Sequence, residues 1–207
     1  MHQERIRERR IPSWLWRIVL SCTTDNIGEK GTHTVLRRSG LSRFIGIIPE
    51  NNDSPSITVD EFSQYVKALF DIFGEEGARP ILLRSGKIGF TFAYGNMPPL
   101  IRFASQMLRV LPEKKRLVTI VSEFNKAFNE VMGTNGAVSE EDDKIIVRIP
   151  HCPYCKDIST ENPACYVEIG LLTQLMETAG GSNYTVREKK CISSGDSVCQ
   201  FEIEKES

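Results

Sequence analysis

The chain has 207 residues, 40% hydrophobic and 26% charged, with a formal net charge of −1. That length allows one well-buried domain of ordinary globular composition. The near-neutral balance argues against a broad basic surface for nucleic acid, and no apolar run reaches the roughly 20 residues of a membrane-spanning helix.

Arg5, Arg7, Arg9 and Arg10 crowd the start, interrupted by Glu4 and Glu8, which predicts a solvated, flexible basic arm over residues 1–10 rather than a nucleic-acid contact. The apolar stretch Trp14–Leu20 follows this basic start as a signal segment would. Arg17 interrupts it, however, it is short, and no small-residue cleavage site follows. The expected location is cytoplasmic, where thiols stay reduced and clustered cysteines point to metal or redox chemistry rather than disulfides.

Pro12 suits a helix start, with Trp14, Leu15, Ile18, Val19 and Cys22 at helical spacing and Gly28 as the stop. Cys22, alone on that face, reads as a small buried hydrophobe. Thr58-Val-Asp-Glu61 is a capping box opening a helix with Phe62, Tyr65, Val66, Leu69, Phe70 and Phe73 on one face, ended by Gly74. Further helices fit Pro99–Leu111 and Glu113–Met132, separated at Pro112.

An internal repeat overlies the helical part. Ile27-Gly-Glu-Lys-Gly-Thr-His-Thr-Val-Leu-Arg-Arg-Ser-Gly40 aligns with Phe73-Gly-Glu-Glu-Gly-Ala-Arg-Pro-Ile-Leu-Leu-Arg-Ser-Gly86. Neither copy has the Gly-Lys-Ser/Thr of a phosphate loop, and each follows a helix rather than a strand. The repeat therefore reads as a duplicated unit of helix, stop and short helix.

Beyond Gly133 the pattern changes. Ala137–Asp143 is polar and turn-like, Lys144–Ile149 is a strand, and Ala164–Thr178 is a helix stopped by Gly180-Gly181. Two alternating strands about Gly195-Asp196 then form a hairpin between Tyr184 and Ile203. The expected fold is α+β: a helical N-terminal two thirds packed on a small antiparallel sheet with a C-terminal hairpin, forming one domain over residues 11–207.

The chemistry-bearing residues gather at this end. Cys165, Glu188, Cys191 and Cys199 are a candidate metal set, since thiolates and one carboxylate suit a closed tetrahedral zinc shell. Glu188 and Cys191 lie three apart and would face opposite sides of a regular strand, so the set requires a bulge or strand end near Cys191. Otherwise Cys191 and Cys199 are core cysteines and Glu188 is solvated. His151-Cys152-Pro-Tyr-Cys155 matches the dithiol motif of glutaredoxins. The residues after it do not continue a helix, and about 50 remain, too few for the rest of a thioredoxin sheet. Cys152, Cys155 and His151 are then rival metal ligands, or ties for a loop.

No catalytic constellation is recognisable: His2, His33 and His151 fall in no nucleophile–base pattern. Asp60, Glu61 and Asp71 are explained by capping and solvation. The many phenylalanines at helical spacing are core residues, some available to line an apolar cavity.

Cys165, the helix Gly170-Leu-Leu-Thr-Gln-Leu-Met-Glu-Thr-Ala-Gly-Gly181 and Glu188-x-x-Cys191-x-x-x-Gly195-Asp-x-x-Cys199-x-Phe201 together resemble the 4-vinyl reductase domain. This hydrocarbon-binding family is related in fold to subunits of the transport protein particle. Aromatic-sensing activators in the family hold zinc with a Cys, Glu, Cys, Cys set, which by resemblance falls on Cys165, Glu188, Cys191 and Cys199. The resemblance also implies an apolar pocket for a small hydrophobic or aromatic ligand, and a homodimer. Phenol is not the expected ligand: the phenol sensors hold the hydroxyl with a His and a Trp, whereas both tryptophans here are Trp14 and Trp16 and no histidine lies between His33 and His151. A sensor or carrier is the leading expectation. The alternatives are an accessory factor or reductase for a vinyl tetrapyrrole, and a protein-interaction module. The reductase is disfavoured by the lack of a nucleotide fingerprint.

Overall fold

The computed structural model describes residues 8–96, 110–155, 157–180 and 183–206. The helix expected over Pro99–Leu111 lies almost wholly outside them. Two strands, β1 (Arg10–Pro12) and β2 (Pro55–Thr58), pair antiparallel and lead into the helices α1 (Ser13–Arg38) and α2 (Val59–Gly95). β1 thus takes in Arg10, the last residue of the expected arm.

Neither helix stops where glycine predicts. Gly28 (φ 71, ψ 171) and Gly74 (φ 65, ψ −175) break helical geometry for a single residue, and the chain resumes a helix at once. The positive φ requires glycine at both positions. The second glycine of each copy has a steric reason. A Cβ on Gly31 would lie 3.0 Å from the Ile27 side chain, and one on Gly77 would lie 2.7 Å from Phe73 Cβ. The repeated Gly-Glu-x-Gly is therefore a helix elbow in which the residue before the kink folds over the second glycine.

The two units also pack reciprocally. Arg38 pairs with Asp71 at 3.0 Å and Arg84 with Asp25 at 3.0 Å, the same contact with the units exchanged. Val59 N–H donates to Arg9 O and Ser13 N–H to Ser54 O, both at 2.8 Å. This exchange is what an approximate internal twofold produces. The equivalence ends at the last glycine: Gly40 (φ 75) follows the end of α1, whereas Gly86 sits inside α2.

Gly86 serves a different contact. A Cβ there would lie 2.1 Å from Val167 O, and one on Gly170 would lie 2.3 Å from Leu83 O. α2 and α4 (Tyr166–Ala179) thus cross backbone to backbone. Between them in sequence, α3 (Glu113–Met132) starts after Pro112 and ends at left-handed Gly133, as expected. It buries Leu117, Val121, Asn125, Phe128 and Met132 along one face.

The sheet has the order β3-β4-β6-β5, antiparallel throughout: β3 (Ala137–Glu141), β4 (Lys144–Ile149), β5 (Tyr184–Lys190) and β6 (Cys199–Lys205). The segment expected to be a turn, Ala137–Asp143, is instead an edge strand with its turn confined to Asp142 and Asp143, both at positive φ. Its polar side chains have partners: Arg148 on β4 donates to Ser139 and to both Glu141 carboxylate oxygens. Hydrophobic alternation cannot reveal a strand held this way. The α+β architecture is as expected, with a helical N-terminal part and an antiparallel sheet that receives the C-terminal strands.

Candidate metal centre

Four chain segments bring five buried cysteines together. Cys152 and Cys155 lie in the loop after β4, Cys165 at the start of α4, Cys191 just beyond β5, and Cys199 at the start of β6. The loop is tethered to the helical layer by Ser63 on α2, whose hydroxyl donates to Pro153 O at 2.6 Å. It is tied to the hairpin by Thr160 N–H to Ser193 O at 2.9 Å.

The bulge that the sequence requires is present. Glu188 pairs with Phe201 while Lys190 pairs with Gln200, so Lys189 is the extra residue and the strand ends at Lys190. Glu188 and Cys191 thereby reach the same side. The turn between β5 and β6 is locked by Asp196, whose carboxylate accepts from Cys191 N–H at 2.9 Å while its own N–H donates to Cys191 O at 3.0 Å.

The ligand atoms fall into two overlapping groups, each with all members within 4.8 Å of one another. One is Cys165, Glu188, Cys191 and Cys199; the other is Cys152, Cys155, Cys165 and Cys199. His151 is in neither. The sulfurs of Cys165, Cys191 and Cys199 are separated by 3.5, 3.6 and 3.8 Å. Metal–sulfur bonds of about 2.3 Å in a tetrahedron place sulfurs about 3.8 Å apart. Glu188 uses one oxygen, Oε2, to accept from Cys165 N–H at 2.8 Å, leaving Oε1 buried without a partner. An orphaned carboxylate oxygen beside three thiols at this spacing is a donor set that could hold a metal ion. Ile192 N–H points at Cys199 Sγ, 3.4 Å away, as an outer-shell donor to a thiolate would.

The electrostatics show what the metal-free cluster contends with. Burial pushes the Cys152 thiol up to about 12 and Cys165 well above the usual thiol range. Burial, and then the charge of Cys191, raises Glu188. Cys191 alone is lowered, because the Cys155, Cys165 and Cys199 thiols hydrogen-bond to its thiolate. A cation would reverse this balance, since metal binding deprotonates thiols. Cys22 is remote in sequence, buried and raised by burial, in keeping with a core residue.

One charged residue escaped the sequence argument. Glu168 on α4 is buried, its Oε2 has no partner, and burial pushes it up to about 8. Its spacing to Leu172 and Leu175 places it on the inward face of α4, a signal that was available. Its charge acts on Tyr154, between Cys152 and Cys155.

A run of rings leads from the helices to this loop. Tyr94 and Phe90 of α2 lie 5.9 Å apart, Phe90 lies 5.7 Å from Phe124 of α3, and Phe124 lies 6.2 Å from Phe128. Phe128 then meets Tyr154 at 6.1 Å, and Tyr154 meets Phe62 at 5.7 Å. A separate cleft of about 380 Å³ lies in the α1 elbow, lined among others by Arg17, Thr24, Asp25, His33, Ile47 and Ile48.

Comparison with known proteins agrees with this geometry. Residues 145–205 match the 4-vinyl reductase domain, the span that carries Glu188, Cys191 and Cys199 together with Cys165. An uncharacterized protein of Methanocaldococcus jannaschii is 32% identical over 84 residues, spanning 40% of this chain and 45% of the length of that relative. Among solved structures, the Fe(II) unliganded H-NOX protein from K. algicida superposes with a TM-score of 0.57 at 12% identity, covering 95% of this chain and 97% of that one. An H-NOX protein from S. oneidensis in the Fe(II) ligation state gives 0.56 at 13% identity, covering 95% and 97%. The fold is shared over nearly the whole chain.

Proposed function

We propose that this is a zinc-stabilised domain that binds a small hydrophobic or aromatic molecule, acting as a sensor or carrier in the cytoplasm, as a homodimer. Cys165, Glu188, Cys191 and Cys199 hold the ion, which ties the start of α4 to the β5–β6 hairpin. Zinc suits this donor set better than a hard cation, because three of the four ligands are thiolates. With four protein ligands the shell is closed and the ion's role is structural.

The observation that carries the ligand half is the ring path from Tyr94 to Tyr154. A molecule that inserts where α2 meets α3 contacts the same apolar side chains that support the cysteine loop, so occupancy of the interior is felt at the clasp. The 4-vinyl reductase domain match supports this reading, as does a fold shared with H-NOX proteins. Among the described residues no helix is long and apolar enough to cross a membrane. The Fe(II) of the H-NOX structures belongs to those proteins; the donor-rich cluster in this chain is made of sulfur.

Metal analysis of the purified chain tests the first half. Bound zinc that is lost in Cys191→Ser, with reduced thermal stability, is expected; zinc-free protein and unchanged folding of that variant would refute it. For the second half, native mass spectrometry and thermal-shift screens with aromatics, tetrapyrroles and lipids should find a retained or stabilising ligand. No binding across all three classes would refute it.

A further inference from the structure

The Cys, Glu, Cys, Cys set leaves Cys152 and Cys155 without a role, yet they lie within the same cluster. Cys152 Sγ is 3.3 Å from Cys165 Sγ, and Cys155 Sγ is 3.3 Å from Cys199 Sγ. Both groups of candidate ligands contain Cys165 and Cys199, and those two sulfurs are 3.5 Å apart. The loop that carries Cys152 and Cys155 is pinned from the α2 side by Ser63.

We propose that the cluster is a binuclear zinc–thiolate site in which Cys165 and Cys199 bridge two ions. This rests on the zinc reading above and extends it to a second ion. Cys152 and Cys155 are the terminal ligands of one ion, and Glu188 and Cys191 are those of the other. The coordination count closes: four terminal ligands plus two bridging sulfurs, each counted twice, fill two tetrahedral shells. Charge favours the same count. Five thiolates and one carboxylate around a single divalent ion leave a net charge of −4 in a buried site, whereas two ions reduce it to −2. With metal–sulfur bonds of about 2.3 Å and bridging sulfurs 3.5 Å apart, a planar bridge sets the ions about 3 Å apart.

The second ion gives the Cys-Pro-Tyr-Cys loop its purpose. It joins a third segment to the clasp and fixes Tyr154, the last ring of the aromatic path, against the metal core. The dithiol is then a ligand pair rather than a redox couple.

The test is metal stoichiometry on the full chain, purified anaerobically with reductant from zinc-supplied cells. Wild type should carry two zinc ions per chain, and X-ray absorption should show a zinc–zinc vector near about 3 Å. Cys152→Ser/Cys155→Ser should retain one ion and lose the vector, with its fold checked by circular dichroism. One zinc per wild-type chain, unchanged by that double substitution, would overturn the second ion and leave the four-ligand site standing. One zinc per wild-type chain, lost on replacing Cys152 and Cys155 but kept in Glu188→Gln/Cys191→Ser, would overturn both the bridge and the proposed ligand set. No zinc, or iron with sulfide in its place, would overturn both zinc readings.

Discussion

Glu168 shows how much one side chain can hold in reserve. Its folded value of about 8 lies above its ordinary 4.5, so the folded state retains a proton that the unfolded state releases. Its contribution to stability is complete below about 4.5 and is lost as pH rises toward 8. Glu168→Gln keeps the shape and removes the titration. It should raise the melting temperature at pH 8 more than at pH 5; an equal effect at both would show that the carboxyl does not titrate in this window. The same scale sets what was legible at the metal centre. Thiols and a carboxylate at suitable spacing could be read from the chain, and so could the need for a bulge beside Cys191, which Lys189 supplies. What spacing could not give was the meeting of two cysteines 44 residues apart, Cys155 with Cys199, because that contact depends on where β4 leaves its loop relative to the hairpin.

At the scale of elements, the glycines divide into two kinds with different expected costs. Gly28 and Gly74 sit at positive φ with nothing within 4 Å of an added Cβ, so Gly28→Ala or Gly74→Ala strains only the backbone. Each should lower stability by about 1–2 kcal/mol. Gly170 has ordinary helical geometry but no room, since its Cβ would meet Leu83 O at 2.3 Å. Gly170→Ala should therefore force α4 away from α2 and cost about 3 kcal/mol or more. Denaturant unfolding of the three variants ranks them, and equal losses would contradict the division. The reciprocal pairs Arg38–Asp71 and Arg84–Asp25 are part-exposed and should each contribute under about 1 kcal/mol. Reading a glycine after a helical pattern as a stop placed the elbows correctly but mistook their outcome. A stop and a one-residue kink carry the same local signal, and only packing against the second unit decides whether the helix resumes. The edge strand β3 was missed for a related reason: its partners are side chains of β4, which local polarity does not reveal.

For the whole molecule, the fold places its cross-link where the layers meet. β4, α4 and the β5–β6 hairpin all deliver cysteines to one point, and the aromatic path runs from that point between α2 and α3. A structural ion there supports both the sheet and the helices that would surround a ligand, so its removal should be felt by the entire domain. Thermal unfolding of the full chain before and after removal of metal with a chelator, under reducing conditions, tests this most directly. The account predicts a melting temperature lowered by about 6–12 °C, for a loss of about 3 kcal/mol or more, and restored by zinc but not by magnesium. A chain that is stripped of metal and melts unchanged would contradict it.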